Sequence, residues 1–141
     1  MKKSSVIDMS ILGGALFVDI PLWDTSSRKL RNTFLAFDTG ATVTTISTDI
    51  LTRLGYDVTV GKKHKITTGS GTAYVREVIV DKLKLGSETV DNVLVYAHDF
   101  PDESYITGVI GLNVLSLFDI CLLFSKKQIE LTRIARISYN L

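Results

Sequence analysis

Long apolar stripes at the 3.6-residue period are absent from this chain, and its apolar residues come instead in short runs broken by Gly, Ser, Thr and Asp. Runs of that length, rich in Thr, Val, Ile and aromatics, suit strands and exclude a helical bundle. Ala15–Leu22 reads as a strand closed by Pro21 at a sheet edge. The polar, turn-like segment Asp24–Arg31 follows, then short strands over Thr33–Phe37 and Val43–Ile46. Thr48–Leu54 predicts a short helix: Ser47 or Thr48 can cap it, Ile50, Leu51 and Leu54 share a face, and Gly55 stands at the C′ position. Lys62–Thr68 and Thr72–Val80 flank Gly69-Ser70-Gly71 as a hairpin. Leu83 and Leu85 alternate with lysines before a turn at Gly86-Ser87 into Thr89–Ala97. His98–Ser104 reads as a surface loop, Leu112–Phe118 as one or two helical turns, and Ile120–Phe124 with Gln128–Ile134 as a last hairpin.

The 141 residues suit one domain, 1–141, and 45% apolar composition gives it a core without staples. With 16 Lys+Arg against 15 Asp+Glu the net charge is +1, which offers no electrostatic footprint for nucleic acid and none of the imbalance of a disordered chain. The single Cys121 excludes an internal disulfide and a cysteine-rich zinc site, and suits a reducing, cytoplasmic compartment. Lying in an apolar run, Cys121 is expected to be an inert core thiol. No window reaches the ~18 apolar residues of a membrane span. The nearest, Ile11–Trp23, is broken by Asp19 and Pro21. Lys2-Lys3 followed by Ile11–Val18 imitates a signal peptide, but Asp8 intervenes and no small-x-small cleavage site follows, so a buried N-terminal strand is the expectation.

Chemistry concentrates in Phe34-Leu35-Ala36-Phe37-Asp38-Thr39-Gly40-Ala41, where an apolar strand runs directly into an acid. A carboxylate at the end of a buried strand is costly unless it is hydrogen-bonded. Thr39 offers a hydroxyl, and Gly40 lets the backbone turn back so that its N–H can reach the acid. An ordinary β-turn would use the same residues. A second segment, Val109-Ile110-Gly111-Leu112, makes an apolar-apolar-Gly step into Asn113–Phe118.

These segments together resemble the retropepsin-like aspartic proteases, single-domain relatives of the retroviral proteases. That family's marks are an apolar strand into Asp-Thr-Gly-Ala, a glycine-tipped flap hairpin and a late apolar-apolar-Gly before a helix. Here they stand in that order as Asp38–Ala41, Gly69–Gly71 and Ile110-Gly111, within a resemblance running from Ala15 to Phe124. It implies an all-β fold, a closed barrel with a flap hairpin and one or two short helices. It implies Asp38 as the catalytic acid, with Thr39, Gly40 and Ala41 as its loop. Thr68, Gly69, Ser70, Gly71 and Thr72 would be the flap, and Ile110 and Gly111 the second loop. No metal or cofactor is implied.

Aspartic protease chemistry needs two carboxylates sharing one proton, because close like charges cannot both ionise. The chain carries one Asp-Thr-Gly and no second copy, so an enzyme built on it must be a two-fold homodimer, with itself as partner and a peptide or protein as substrate. The alternative is a non-proteolytic peptide- or protein-binding module of the same fold. The pattern departs at Thr42 and Leu112, where viral members carry an acid and an arginine that pair, and at Val43, often acidic there. Losing both partners is self-consistent, since either charge alone would stand uncompensated. About seventeen residues, Ser125–Leu141, extend past the point where viral chains tend to end. Gly69-Ser70-Gly71-Thr72 lacks the following helix and the Gly-Lys-Ser/Thr of a phosphate loop. His64 and His98 have no metal or triad spacing and read as surface histidines.

Overall fold

The structure, a computed structural model, describes residues 3–69 and 71–135. Strands dominate it: β1 (Ser4–Asp8), β2 (Ser10–Leu12), β3 (Ala15–Asp24), β4 (Lys29–Phe37), β5 (Thr45–Ser47), β6 (Lys63–Thr68), β7 (Gly71–Leu85), β8 (Glu88–His98), β9 (Gly108–Ile110), β10 (Phe118–Leu123) and β11 (Gln128–Arg133). Two short α-helices, α1 (Thr48–Arg53) and α2 (Leu112–Leu115), and a single 3-10 turn at Phe124–Lys126 complete the described residues, so the fold is all-β as expected. One sheet runs β2-β3-β4-β9-β5-β8-β7-β6, and a pairing of Leu22 with Leu83 brings β7 back against β3, so the sheet curls on itself. A smaller sheet has the order β1-β11-β10.

The core lies inside that curl. Val18, Ile20 and Leu22 alternate with outward residues on β3 and meet Val78, Val80, Leu83 and Leu85 of β7 and Val93 and Val95 of β8, all buried. Ile129 and Leu131 of β11 belong to the same core. The period-2 pattern that identifies these segments as strands thus also chooses their inward face.

Several elements differ from their sequence outlines. Pro21 does not end β3, which pairs with β4 through Asp24. Beyond Phe17 the strand β2 no longer accompanies β3, so β3 is paired on one side only until Leu22 meets Leu83, and a residue without N–H is tolerated there. The N-terminal apolar run is not one buried strand: it turns at Gly13-Gly14, leaving Ile11 and Leu12 exposed on β2. Leu83 and Leu85 belong to the same fifteen-residue strand as the hairpin arm that begins at Gly71. The helix after Gly111 stops at Leu115, because Phe118 already enters β10. Cys121 is exposed, not a core thiol. It sits on the outer strand of the small sheet, paired with Glu130, on the face turned from buried Ile129 and Leu131. The helix at Thr48 forms without a side-chain cap from Ser47, whereas Gly55 follows it at φ +89° as a helix-ending glycine does.

The expected polar turn between β3 and β4 shrinks to residues 25–28, organised by the buried carboxylate of Asp24. Its Oδ1 accepts the N–H groups of Ser26 (2.8 Å) and Ser27 (3.1 Å), and its Oδ2 accepts Nε of Arg31 at 2.5 Å. The Ser27 N–H first, and the Arg31 guanidinium next, hold this carboxyl down to about 2, against the opposing effect of burial. The folded value lies below the unfolded 3.8, so the native state binds fewer protons between the two. The stabilisation is therefore complete above about pH 4 and is lost as pH falls through 2. Asp24→Asn should lower stability at neutral pH and flatten the acid limb of a urea-midpoint-against-pH curve between about pH 4 and 2. An unchanged acid limb would show that other carboxyls govern acid unfolding.

Candidate active site

Three strands assemble the Asp38 loop. β9 lies between β4, with which it runs parallel (Ala36 opposite Val109, Phe37 opposite Ile110), and β5, which is antiparallel to it (Thr45 opposite Val109). The end of β4 is thereby set beside the Ile110–Gly111 step. Asp38 donates its N–H to the Ile110 carbonyl (3.0 Å), and Leu112 donates to the Ala41 carbonyl (2.8 Å). The two segments singled out in the sequence, about seventy residues apart, form one hydrogen-bonded unit.

Within the loop Gly40 N–H donates to Asp38 Oδ1 at 2.8 Å, and Ala41 N–H to the Asp38 carbonyl at 3.3 Å. Asp38 is half-buried, as is Ala41, while Thr39 and Gly40 are exposed. Among the described residues Oδ2 of Asp38 accepts no hydrogen bond. One carboxylate oxygen is thus fixed by the backbone and the other is free to meet a water or a second carboxyl group.

Two residues that sequence reading missed support this unit. Thr44, fully buried, gives both its N–H (2.9 Å) and its hydroxyl (2.8 Å) to Oδ1 of Asn113. The same hydroxyl oxygen accepts the Gly111 N–H at 3.0 Å, and Asn113 Nδ2 donates to the Leu94 carbonyl at 2.7 Å. Asn113 also gives its backbone N–H to the Thr42 carbonyl (3.1 Å). This latch spans 69 residues of sequence, and each buried polar atom in it has a partner. The signal available in the sequence was an Asn placed two residues after the Gly111 step. Gly111 itself is packed: a Cβ there would stand 2.7 Å from the Ala41 carbonyl oxygen and 3.0 Å from Val43 C. Ile110, beside it, is wholly buried.

Thr68, Gly69, Gly71 and Thr72 form the tip of the β6–β7 hairpin, and Ser70 lies outside the described residues. Gly71 takes φ +123°, a value that favours glycine, and the Thr68 hydroxyl donates to the Gly71 carbonyl (2.9 Å). A Cβ at Gly69 or Gly71 would meet nothing within 4 Å, so the tip stands in open space. β6 is the outer strand of the sheet. The single chain unites the Asp38 and Gly111 segments into one hydrogen-bonded unit.

His64 is half-buried: its Nε2 meets Glu77 Oε2, and its ring lies 5.1 Å from that of Tyr96. His98 packs edge-on to Phe100, with ring centroids 4.8 Å apart. Neither is a free surface histidine. Among the described residues no group of three His, Cys, Asp or Glu side chains is placed to hold a metal ion, and no helix is long and apolar enough to cross a membrane.

Comparison with known proteins bears on the fold and the family. The chain superimposes on a retropepsin-like aspartic protease from Rickettsia conorii with a TM-score of 0.68 and 15% identity, covering 94% of this chain and 92% of that one. It superimposes on the EIAV protease complexed with the inhibitor HBY-793 with a TM-score of 0.51 and 20% identity, over 76% of this chain and 90% of that one. At such identities the likeness is one of fold: both neighbours are retropepsin-like. Among proteins of curated function none matches the chain by sequence. Residues 31–114, more than half the chain, match the family described as aspartyl protease, and that span contains the Asp38 loop, the β6–β7 hairpin, Gly111 and Asn113. The chain belongs to the aspartyl protease family.

Proposed function

We propose that the protein is an aspartic endopeptidase acting as a two-fold homodimer, with Asp38 of each subunit forming the catalytic pair. The observation that carries this reading is the Asp38 carboxylate itself, with Oδ1 held by Gly40 N–H and Oδ2 open, on a loop fastened to Ile110 and Leu112. One such loop supplies one carboxylate, and the chemistry requires two. In the dimer a single proton is shared between them. The ionised member takes a proton from a water as it attacks the scissile carbonyl, and the protonated member donates to the carbonyl oxygen. A tetrahedral intermediate forms with no covalent acyl-enzyme, and collapses as the amine leaves with a proton. Thr39 and Ala41 flank the pair, and residues 68–72 close over the substrate as a lid. The glycines of that tip bring backbone N–H groups close to a peptide without side chains in the way.

The test is cleavage of an unbiased peptide library at graded enzyme concentration. The site exists only where two chains meet, so specific activity should fall on dilution through the dimer dissociation constant. A wild-type protein that cleaves nothing favours a binding module of the same fold. Cleavage at a constant specific rate by a protein that stays monomeric refutes the shared pair.

A further inference from the structure

On the β3–β4 hairpin and α1, away from the residues of both loops and the β6–β7 tip, lies a cavity of about 520 Å³. That is within the usual range for a small-molecule site. Its walls are of two kinds. Phe34, Ile50 and Leu54 give an apolar surface, and Arg31 and Arg53 bring two guanidinium groups to it. Phe34 stacks on Phe17 with ring centroids 4.8 Å apart yet remains 38% exposed, an apolar face left uncovered.

The charges do not cancel. Asp24 also lines the cavity, but both its oxygens are occupied by the Ser26 and Ser27 N–H groups and by Arg31 Nε. Arg31 is thereby neutralised and, more to the point, oriented. Held through Nε, it keeps its two terminal nitrogens for another acceptor, and its side chain is 54% exposed. Arg53 has no ion-pair or hydrogen-bond partner among the described residues, and leaves the lining with one net positive charge. The Leu54 carbonyl, which would repel an anion at this helix end, is consumed by the Thr25 N–H (2.9 Å) and hydroxyl (3.0 Å). Those two bonds also fix α1 to the β3–β4 turn, so the cavity is framed before any ligand arrives.

We infer that this cavity is a binding site for a monoanionic amphipathic ligand, a carboxylate carried on an apolar body. Arg31 and Arg53 would take the carboxylate, and Phe34, Ile50 and Leu54 the apolar part. A free organic acid and the C-terminal residue of a peptide share this chemistry.

The test uses the full chain carrying Asp38→Asn, so that no peptide is consumed, and follows titrations by NMR shift and calorimetry. The probes are 4-phenylbutyrate, N-acetyl-Ala-Leu with a free C-terminus, the neutral amide of each, and inorganic phosphate. At least one of the two acids should bind saturably at one site per chain, with its amide weaker by about tenfold or more. Which of them binds separates the free acid from the peptide terminus. Arg53→Gln, at an exposed position, should weaken the acid by about tenfold while leaving the thermal midpoint unchanged. Arg31→Gln, which also breaks the pair with Asp24 and should lower the thermal midpoint, should weaken the acid by a similar factor when measured below its melting transition. Amides binding as tightly as acids, no effect of Arg53→Gln, phosphate matching the better acid, or no saturation by either acid would overturn the inference.

Discussion

Asp38→Asn is expected to abolish peptide cleavage, with a loss on the order of 10²–10⁴-fold, while the folded structure persists. The amide keeps an oxygen where Oδ1 now accepts the Gly40 N–H, so the loop retains its internal bond and its attachment to Ile110 and Leu112. What it loses is the ability to take a proton from water. Unfolding midpoints close to wild type, beside a vanished turnover, are the expected pair of measurements. The same variant reports on assembly. Mixed with wild type in excess, it should poison activity, because a mixed dimer sets one carboxylate opposite an amide. Activity proportional to the wild-type chains present, however much variant is added, would mean that each chain works alone. Equal activity of the variant would end the proposal that Asp38 is the general base.

Gly111→Ala should be strongly damaging for a change of one methyl group. Gly111 has φ −111° and ψ −174°, which alanine adopts freely, so the penalty is one of space. The added Cβ would lie 2.7 Å from Ala41 O, 3.0 Å from Val43 C and 3.1 Å from Thr44 N, all of them main chain. Main chain cannot rotate aside as a side chain can. Relief requires the 41–44 segment to shift, which strains the Thr44–Asn113 latch and moves the Asp38 loop. A loss of about 1–3 kcal/mol in stability is expected, with cleavage falling further than the folded fraction accounts for. Gly69→Ala is the control for stability, since nothing stands within 4 Å of its Cβ position. If the two variants melt alike, the close packing around Gly111 does not hold the 41–44 segment.

The elements legible in the sequence were those whose reasons are local. The end of β4 announces itself by an apolar run into an acid, and the β6–β7 hairpin by alternation around two glycines. Gly55 marks the end of α1. The pairing of the Asp38 and Gly111 segments was legible only through the family resemblance, because nothing in either segment names its partner. The Thr44–Asn113 latch was not legible at all. Its energy comes from burial and from exact satisfaction of donors and acceptors across the fold, and neither residue type is distinctive. β1 was missed for a related reason. Ser4–Asp8 holds only two aliphatic residues, and its strand character comes from pairing with β11 at the other end of the chain. Cys121 was misjudged because an apolar run indicates a strand but not which of its faces is covered.

β7 is one unbroken strand from Gly71 to Leu85, and its two halves have different neighbours. Residues 71–76 pair with β6, and residues 76–85 pair with β8 in the wall of the core. Arg76 belongs to both, opposite Lys63 on one side and Ala97 on the other, with its guanidinium donating to the Gly61 carbonyl. A hairpin mounted this way has no loop to swing on. If the tip closes over a substrate as proposed, it would do so as a springboard does, by flexing along its length with the clamp at Arg76. The recoil of such a closure would pass into the same ribbon that carries Val78 and Val80, so the stiffness of the hydrophobic interior and the movement of the tip would be tied to a single piece of backbone.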